Sequence, residues 1–458
     1  MDFYAIVLAA GLGTRMKSKI PKVLHRLCGK PMISYTVKAL EECGMSPGKT
    51  IIVVGHRSEM VMEELGSAFL YAHQEQQLGT GHAVMMAQDY LPDDGQVLIL
   101  TGDTPLISSL TLSSFMEYHL KNEFSATVLT AEMQDPTGYG RIIRDGEGNL
   151  QRIVEQKDAT DEEKRIKEVN SSIYCFRIRD LRESLKEIKN ENAQGEYYLT
   201  DTIEILRNKG KRIGVFRAAD SFEVSGINSR VELAKVENFL RQRILKKHME
   251  EGVTIIDPSC TYIGIDVKIG RDTVIYPGCH IEGNTVIGED CAIGPNARIV
   301  DSSIGKGTEV QYSVILGSIV GEMTKIGPFA YIRPESSIGN QVKIGDFVEI
   351  KKSTIGDGAK VPHLAYIGDA EIGKRVNFSC GAIVVNYDGE RKHKTVVKDN
   401  AFIGCNSNLV SPVVVEEGAY IAAGSTITEN VPPYSLAIAR ERQVIKEDWV
   451  KRRFKNKK

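Results

Sequence analysis

The chain has 458 residues, which is too long for one ordinary hydrophobic core and predicts two or three domains. Its net charge of −2 argues against the basic field by which nucleic-acid-binding proteins attract phosphates, so no nucleic-acid partner is expected. No run of about 18 apolar residues could cross a bilayer, and residues 1–10 lack the basic start and cleavage site of a secretory signal. We therefore expect neither a membrane partner nor export.

The cysteines point to a reducing compartment. There are eight of them, scattered along the chain without a CxxC pair or a dense cluster. This spacing is not typical of a disulfide-bonded secreted protein or of a zinc site. We expect a cytoplasmic protein without structural zinc.

The first half of the chain predicts an α/β fold. Short apolar runs at 5–10, 51–54, 96–100 and 126–129 read as strands, and helical apolar spacing at 32–40 and 60–70 reads as crossover helices. Such alternation is typical of a Rossmann-like sheet, in which ligands bind beyond the carboxyl ends of the strands. The loops after the strands are therefore the expected places for chemistry.

A glycine loop follows the first predicted strand. Gly11 and Gly13 would let backbone N–H groups approach phosphates, and Arg15 and Lys22 just downstream could neutralise a triphosphate. The loop lacks the third glycine of a dinucleotide fingerprint and the GK[ST] of a P-loop. Two glycines alone also fit an ordinary tight turn, so the loop is informative mainly through the motifs around it.

The glycine loop is one of seven motifs in this half of the chain: LAAGLGTRM (8–16), PKVLH (21–25), QLGTGHA (77–83), GDTPL (102–106), YGRI (139–142), VEQKD (154–158) and NAQGEYY (192–198). Together these motifs resemble the sugar-1-phosphate nucleotidylyltransferases, and most closely the N-acetylglucosamine-1-phosphate uridylyltransferases. The resemblance implies a uridylyltransferase domain over residues 1–230 that uses UTP and N-acetylglucosamine-1-phosphate and needs Mg²⁺.

By the same resemblance, individual residues acquire expected roles. Those expected to bind the nucleotide sugar are Leu8, Ala9, Ala10, Gly11, Lys22, Gln74, Gly79, Thr80, Gly140, Glu155, Asn170 and Asn228. Asp103 and Asn228 match the magnesium ligands, which is chemically sensible because Mg²⁺ prefers oxygen ligands and keeps water or phosphate oxygens in its other positions. Arg15 is the expected catalytic cation, because the sugar phosphate attacks the α-phosphorus of UTP directly and needs positioning and charge neutralisation rather than a protein nucleophile.

The second half begins with a predicted linking helix at 231–251 and then changes to a six-residue period over 252–458. Aliphatic residues recur from Ile263 to Ile299, again from Val320 to Ile350, and again from Val397 to Ile427, often followed by glycine. The period is typical of a parallel β-helix, and glycine would supply the turn conformations. This half resembles the left-handed β-helix acyltransferases, whose coils form a prism.

Residues around an interruption of the repeat, at about 380–396, resemble the glucosamine-1-phosphate acetyltransferase domain of the bifunctional enzymes. The resemblance implies that His363 takes a proton from the sugar amine as it attacks acetyl-CoA, and that Glu349 orients the imidazole ring. The expected sugar-phosphate contacts are Arg333, Lys351, Tyr366 and Asn377. The expected acetyl-CoA contacts are Cys380, Asn386, Tyr387, Cys405, Ala423 and Arg440, and Asn386 also completes the sugar site. Leu12, Ser379, Ala382 and Cys405 depart from the commonest form of these motifs.

The full hypothesis is a bifunctional enzyme that acetylates glucosamine-1-phosphate and then makes UDP-N-acetylglucosamine, a precursor of peptidoglycan and other envelope glycans. The acyltransferase resemblance also implies a homotrimer with acetyl-transfer sites between subunits. Two alternatives stay open: a single-activity nucleotidylyltransferase whose β-helix only assembles the enzyme, and a non-enzymatic sugar-nucleotide sensor or scaffold that keeps both folds.

Overall fold

A computed structural model of the protein describes residues 3–454. The chain forms two compact units, and the division falls between Leu240 and Arg241, inside a long helix that runs over Arg230–Glu250. This helix corresponds to the linking helix predicted at 231–251. Within the described residues, no helix is both long enough and apolar enough to cross a membrane.

The first unit contains the helices and strands of an α/β fold. Its strands are β1 Phe3–Leu8, β2 Arg26–Leu27, β3 Lys30–Pro31, β4 Thr50–Val54, β5 Leu70–His73, β6 Gln96–Thr101, β7 Ala126–Glu132, β8 Gly140–Arg144, β9 Leu150–Val154, β10 Glu168–Arg177 and β11 Ile213–Arg217. The helices are α1 Met32–Glu42, α2 Ser58–Leu65, α3 Thr80–Ala87, α4 Ser109–Lys121, α5 Ile178–Leu185, α6 Asp201–Asn208 and the shared helix α7 Arg230–Glu250.

The main sheet has the order β11-β7-β10-β6-β1-β4-β5, with β8 and β9 attached through β10. Strand β1 is parallel to both neighbours, β4 on one side and β6 on the other, while β10 is antiparallel. The chain runs outward from β1 to β4 and β5 and later returns to β6 on the opposite side. This reversal of strand order makes the carboxyl end of β1 the switch point at which such sheets bind ligands.

Both faces of the sheet are buried, which explains why the first strand is a continuous apolar run. Along β1, Ala5 and Val7 belong to a core with residues of α1 and α4, whereas Ile6 belongs to a second core with residues of α3, α5 and α6. Alternate side chains thus enter opposite layers. The predicted Rossmann-like α/β unit is confirmed.

Two predicted elements are wrong at their ends. The strand predicted at 5–10 is Phe3–Leu8, so Ala9 and Ala10 belong to the following loop. The helix predicted at 60–70 is Ser58–Leu65; it stops at Gly66, whose φ of 78° ends the helix, and Leu70 already begins β5. The apolar residues after Gly66 happen to keep helical spacing, although they do not belong to the helix.

The second unit is a parallel β-helix of three sheets. The first sheet, β12-β15-β18-β21-β24-β27-β30-β33-β36-β39-β41, contains Thr254–Ile255, Val274–Ile275, Ala292–Ile293, Glu309–Val310, Lys325–Ile326, Lys343–Asp346, Lys360–His363, Asn377–Phe378, Phe402–Ile403, Tyr420–Ile421 and Leu436–Ala437. The second, β13-β16-β19-β22-β25-β28-β31-β34-β37-β40, contains Tyr262–Ile263, His280–Glu282, Arg298–Val300, Val314–Leu316, Tyr331–Ile332, Glu349–Lys351, Tyr366–Gly368, Ile383–Val385, Asn408–Val410 and Thr426–Ile427. The third, β14-β17-β20-β23-β26-β29-β32-β35-β38, contains Lys268–Ile269, Val286–Ile287, Ser303–Ile304, Ile319–Val320, Ser337–Ile338, Thr354–Ile355, Ala370–Ile372, Thr395–Val397 and Val413–Val415. A final helix, α8, covers Trp449–Arg453.

The six-residue period marks the inside of this prism. Ile281, Ile293 and Ile350 are fully buried, and nearly all the predicted aliphatic positions are inward; Ile269, in the first coil, is only half-buried. Strands three apart in sequence pair in parallel, so each inward side chain stacks on its counterpart in the previous coil. The predicted parallel β-helix is confirmed. The interruption is narrower than predicted, because β34 restores the ladder at Ile383–Val385 before the loop at 386–394.

The glycines of the repeat differ from the expectation. Gly327 has φ of 108°, as a turn glycine should, but Gly288 and Gly404 have no such conformation. A Cβ on Gly288 would lie 2.7 Å from the Lys306 backbone nitrogen, and one on Gly404 would lie 2.5 Å from the Ile421 carbonyl oxygen. These glycines allow successive coils to stack closely, rather than providing an unusual turn.

This close stacking predicts the effect of adding one methyl group. A Cβ at Gly356 would lie 2.6 Å from the backbone carbonyl carbon of Gly373 in the next coil, whereas Gly146 in the first unit has open space around that position. Gly356→Ala should therefore lower the stability of the β-helix by about 1–3 kcal/mol through overpacking. Thermal unfolding of both variants measures this, with Gly146→Ala as control; equal melting temperatures for the two variants would contradict the stacking explanation.

Candidate active sites

Two cavities of the first unit meet at Asp103. The larger has a volume of about 450 Å³ and the smaller about 210 Å³, and both are lined by Thr101 and Asp103. These residues lie at and just beyond the carboxyl end of β6, beside the end of β1. The sheet therefore places a pair of adjoining compartments at its switch point.

The larger cavity contains the residues predicted to contact the nucleotide. They come from different loops: the one after β1, the one after β5, and the amino-terminal end of α3. The predicted residues that line it are Leu8, Ala9, Ala10, Gly11, Lys22, Gln74, Gly79, Thr80 and Asp103. Gln74 is buried and its Nε2 donates to the Gly79 carbonyl at 3.1 Å, which ties two of these loops together.

Gly13 brings Lys22 against the loop. Its φ is 59°, and a Cβ there would lie 2.7 Å from Cβ of Lys22. The Lys22 ammonium forms an ion pair with Asp103 and donates to Oδ1 of Asn228 at 3.0 Å. Burial opposes ionisation of Asp103, but the charge of Lys22 outweighs it and holds the pKa of this carboxyl below its usual value.

The oxygens of the two predicted magnesium ligands, Asp103 and Asn228, thus contact the same cation, which in this structure is the Lys22 ammonium. A carboxylate and an amide oxygen are suitable donors for Mg²⁺. Within residues 3–454, no group of three or more His, Cys, Asp or Glu side chains is placed to hold a metal. The donor set fits a metal that takes its remaining ligands from water and phosphate.

A helix cap fixes Asn228 beside Asp103. The Ile227 N–H donates to the Asp103 carbonyl at 3.0 Å. At the start of α7, the Ser229 N–H donates to Oε2 of Glu232 at 3.0 Å, and the Glu232 N–H donates to Oγ of Ser229 at 3.2 Å. This reciprocal pair is a capping box, and Glu232 also accepts from the backbone of Asn228.

The smaller cavity contains the residues predicted to contact the sugar. Gly140, Glu155, Asn170, Asn228 and Arg15 all line it. A bulge in β10 between Asn170 and Tyr174 turns the local side chains, and the buried Asn170 donates to the Tyr174 hydroxyl at 2.7 Å. Burial raises the pKa of Glu155 to about 6, against the smaller opposing effect of a hydrogen bond from Thr200.

Several lining residues were missed in the sequence. Gln77 and Glu196 line the larger cavity, and Tyr139, Ser172 and Gly226 line the smaller one. Gln77, Tyr139 and Glu196 lie inside the quoted motifs, which would have been a signal for them. Ser172 has φ of 61° because of the bulge, and neither its residue type nor its spacing indicates that conformation.

In the second unit, one corner of the prism carries much of the predicted acetyl-transfer set. In successive coils of the first sheet, His363 ends strand β30, and Cys380, Cys405 and Ala423 follow the strands β33, β36 and β39. Their corner segments are joined by backbone hydrogen bonds. In each bond, the backbone N–H of one residue donates to the carbonyl oxygen of a residue in the preceding coil. The donor and acceptor residues are Leu364 and Asp346 (2.9 Å), Gly381 and Leu364 (3.1 Å), Asn406 and Cys380 (2.8 Å), and Gly424 and Cys405 (2.8 Å). The Cδ atom of Arg440 would lie 3.6 Å from a Cβ on Gly424, so Arg440 continues the same column.

The face after this corner carries cations. Arg333 follows β25, Lys351 ends β28, and Tyr366 begins β31 beside Glu349. From the loop at 386–394, Lys392 comes close enough to Lys351 for the second ammonium to lower the pKa of Lys392. Neither the residue type nor the motif position of Lys392 predicted this contact.

The remaining predicted residues lie off the corner column. Asn377 is half-buried in β33, where its Nδ2 donates to Oγ of Ser379 at 2.8 Å. Asn386 is buried after β34, where its Nδ2 donates to Oδ2 of Asp369 at 2.5 Å. Tyr387 is exposed in the following loop. Within one chain, the acetyl-CoA set is therefore divided between the corner and the loop.

In this structure Glu349 contacts Arg333 and not the imidazole of His363. Its Oε1 accepts from Nη1 of Arg333 at 2.8 Å, so this carboxylate is engaged by the cationic face. The imidazole of His363 instead contacts Asp346 through Nδ1. The reason is the register: Asp346 is the parallel partner of His363 in the adjacent strand, whereas Glu349 lies beyond the corner and pairs with Tyr366.

Comparison with protein families matches both halves of the chain. Residues 5–192 match the MobA-like NTP transferase domain, and residues 317–352 and 394–429 match the bacterial transferase hexapeptide (six repeats). Residues 262–333 match the GMPPB C-terminal domain. A solved structure of a putative glucose-1-phosphate thymidylyltransferase from Bacillus anthracis is 22% identical, with a TM-score of 0.43 over 52% of this chain and 95% of that chain.

Curated relatives match over nearly the full length. The protein is 61% identical to the bifunctional protein GlmU of Caldanaerobacter subterraneus subsp. tengcongensis, over 99% of each chain. It is 59% identical to that of Acetivibrio thermocellus, over 97% of this chain and 96% of the relative, and 56% identical to that of Clostridioides difficile, over 99% and 98%. The chain therefore belongs to the GlmU family of bifunctional proteins and joins a nucleotidyltransferase to an acetyltransferase.

Proposed function

We propose that the second unit acetylates glucosamine-1-phosphate with acetyl-CoA and that the first unit joins the product to UMP from UTP, releasing pyrophosphate and UDP-N-acetylglucosamine. Residues 1–230 would carry uridylyl transfer and residues 252–458 acetyl transfer, with 231–251 as the link. The observation that carries the proposal is the meeting of two cavities at Asp103, whose carboxylate shares the Lys22 ammonium with Oδ1 of Asn228.

In uridylyl transfer, the larger cavity would hold UTP and the smaller one the sugar phosphate, so that the attacking oxygen and the α-phosphorus meet near Asp103. Asp103 and Asn228 would hold Mg²⁺, which when bound supplies positive charge to the phosphate oxygens. Lys22 would move from these two oxygens toward the phosphates, and Arg15 lies at the sugar side of the same point. In-line positioning and charge neutralisation are then the main contributions of the protein.

In acetyl transfer, the cationic face would bind the sugar phosphate. Arg333, Lys351 and Lys392 bring three cations to this face, and the like charges of Lys351 and Lys392 favour a bound anion between them. The corner column from Cys380 to Arg440 would bind acetyl-CoA. His363 lies beside both groups and would remove the proton from the sugar amine.

We also propose a homotrimer that works in the cytoplasm. Tyr312, Phe329, Phe347 and Leu364 form a corner stripe, which we define by these four residues; each is about half exposed, and the aromatic ring centroids lie 5.7 and 5.4 Å apart. A continuous exposed apolar surface favours contact with another copy of the chain. Among the described residues no cysteine forms a disulfide, which favours a reducing compartment.

Asp103→Ala should lower uridylyl transfer by about 10²–10³-fold, because it removes the carboxylate that faces the cation position. Acetyl transfer should be unchanged. Pyrophosphate release from UTP and N-acetylglucosamine-1-phosphate measures the first activity, and release of the CoA thiol from acetyl-CoA measures the second. Asp94→Ala, an exposed aspartate before β6, is the matched control. Loss of both activities in Asp103→Ala would contradict two independent sites.

His363→Ala should have the opposite effect, with CoA release from glucosamine-1-phosphate and acetyl-CoA lowered by about 10²–10⁴-fold through loss of the general base. Uridylyl transfer should stay at the level of the unmodified chain. His280→Ala serves as control, because His280 is exposed on the β-helix and stacks on Tyr262. Retention of acetyl transfer in His363→Ala would remove this histidine from the mechanism.

Phe329→Asp should dissociate the trimer, because it places a charge on each copy of the corner stripe. Sedimentation should show a monomer that keeps uridylyl transfer and loses acetyl transfer, since the acetyl-transfer site would lie between subunits. Val286→Asp adds the same charge at an exposed position outside the stripe. A fully active monomer, or a trimer unaffected by Phe329→Asp, would contradict this assignment.

A further inference from the structure

Asp346 is not among the residues predicted for acetyl transfer, yet its carboxylate contacts the imidazole of His363. The contact joins Oδ1 of Asp346 to Nδ1 of His363. Asp346 ends β27 and His363 ends β30, and the two residues are direct partners in the parallel ladder. The ladder therefore holds the two side chains together through the backbone of both strands.

We infer that Asp346 is the positioning residue of His363, which it holds with Nδ1 protonated so that Nε2 accepts the proton of the sugar amine. An ionised carboxylate only accepts hydrogen bonds, so the nitrogen it faces must carry the hydrogen. The other ring nitrogen then has the free electron pair that a general base needs. This inference rests on the proposed acetyl-transfer function.

The reaction step is balanced with these groups alone. The neutral amine nitrogen of glucosamine-1-phosphate attacks the thioester carbonyl carbon of acetyl-CoA, and a new carbon–nitrogen bond forms. Nε2 of His363 takes one proton from this nitrogen. The carbon–sulfur bond then breaks, and the proton passes from Nε2 to the leaving sulfur, giving CoA thiol. The Asp346 carboxylate stabilises the imidazolium that exists between these two transfers.

Other groups around the histidine do not compete for this role. The carboxylate of Glu349 accepts a hydrogen bond from the Arg333 guanidinium. On β27 the remaining charged residue is Lys343, which reinforces ionisation of Asp346, and on β30 it is Lys360. The strand of the next coil, β33, brings Asn377 and Phe378, and the corner beyond it brings the Cys380 thiol. Among these groups, the Asp346 carboxylate is the one that contacts the ring.

The pKa of Asp346 is lowered, first by its hydrogen bond with His363, so the carboxylate is ionised at neutral pH. In the proposed reaction, its negative charge stabilises the positive charge that the imidazole ring gains when Nε2 takes the amine proton. Removing that charge should therefore shift the acid limb of the kcat profile, where the base becomes deprotonated, to lower pH. A residue that only supports the fold would not move this limb.

The test compares Asp346→Ala and Asp346→Asn with the unmodified chain, by CoA release from acetyl-CoA and glucosamine-1-phosphate over a range of pH. We expect Asp346→Ala to lower kcat by about 10–100-fold, with KM for the sugar phosphate changed less than about twofold. The acid limb should move to lower pH in both variants. Asp346→Asn should have an intermediate kcat, because its amide oxygen can still accept from Nδ1–H.

The control variant is Glu309→Gln, which removes an exposed carboxylate two strands away in the same sheet and should leave both kcat and the pH profile unchanged. Uridylyl transfer in each variant reports that the chain is folded. A wild-type kcat and pH profile in Asp346→Ala, together with an inactive His363→Ala, would overturn this inference alone. Absence of CoA release by the unmodified chain would overturn the proposed acetyl transfer itself.

Discussion

Parallel strand pairing is the constraint on which both candidate sites depend. In the first unit, the parallel pairing of β1 with β4 and β6 brings three chain segments to one edge of the sheet, so the glycine loop after β1 and Asp103 after β6 face the same space. In the second unit, parallel pairing repeats once per coil and places equivalent positions in columns. Neighbouring coils pair Asp346 with His363, 17 residues apart (363 − 346), and Asn377 with Phe402, 25 residues apart (402 − 377). Residues distant in the chain therefore form one site.

Electrostatics then distinguish the two sites. In the nucleotidyltransferase unit, a largely buried carboxylate and an amide oxygen share a cation, and the charge of Lys22 holds the pKa of Asp103 below its usual value. In the β-helix, cations gather on a partly exposed face, while a carboxylate contacts the exposed His363. The first arrangement suits a metal and a triphosphate in a partly enclosed cavity. The second leaves the His363 imidazole and a cationic surface accessible from solvent.

The period of the apolar residues predicted the β-helix because an inward side chain every six residues is a requirement of the prism itself. The motifs predicted most of the lining of the larger cavity in the first unit, since those segments follow strands whose order is typical of the fold, but fewer than half of the residues that line the smaller cavity. Glu349 was the expected partner of His363, but which carboxylate faces the imidazole depends on register between coils, and Asp346 takes that place. Lys392 could not be singled out because its position results from the path of a loop. The stacking role of Gly288 likewise appears only once the next coil is in place.

The central claim is that one chain carries two separate sites that act in sequence. Its most direct test is the conversion of glucosamine-1-phosphate to UDP-N-acetylglucosamine, with acetyl-CoA and UTP present, by a mixture of the Asp103→Ala and His363→Ala chains. Each variant alone should fail to form the final product. The mixture should form it, because the intermediate released from an intact acetyl-transfer site can reach an intact uridylyl-transfer site on another chain. A mixture that forms no product, while each variant retains its own remaining activity, would contradict the account.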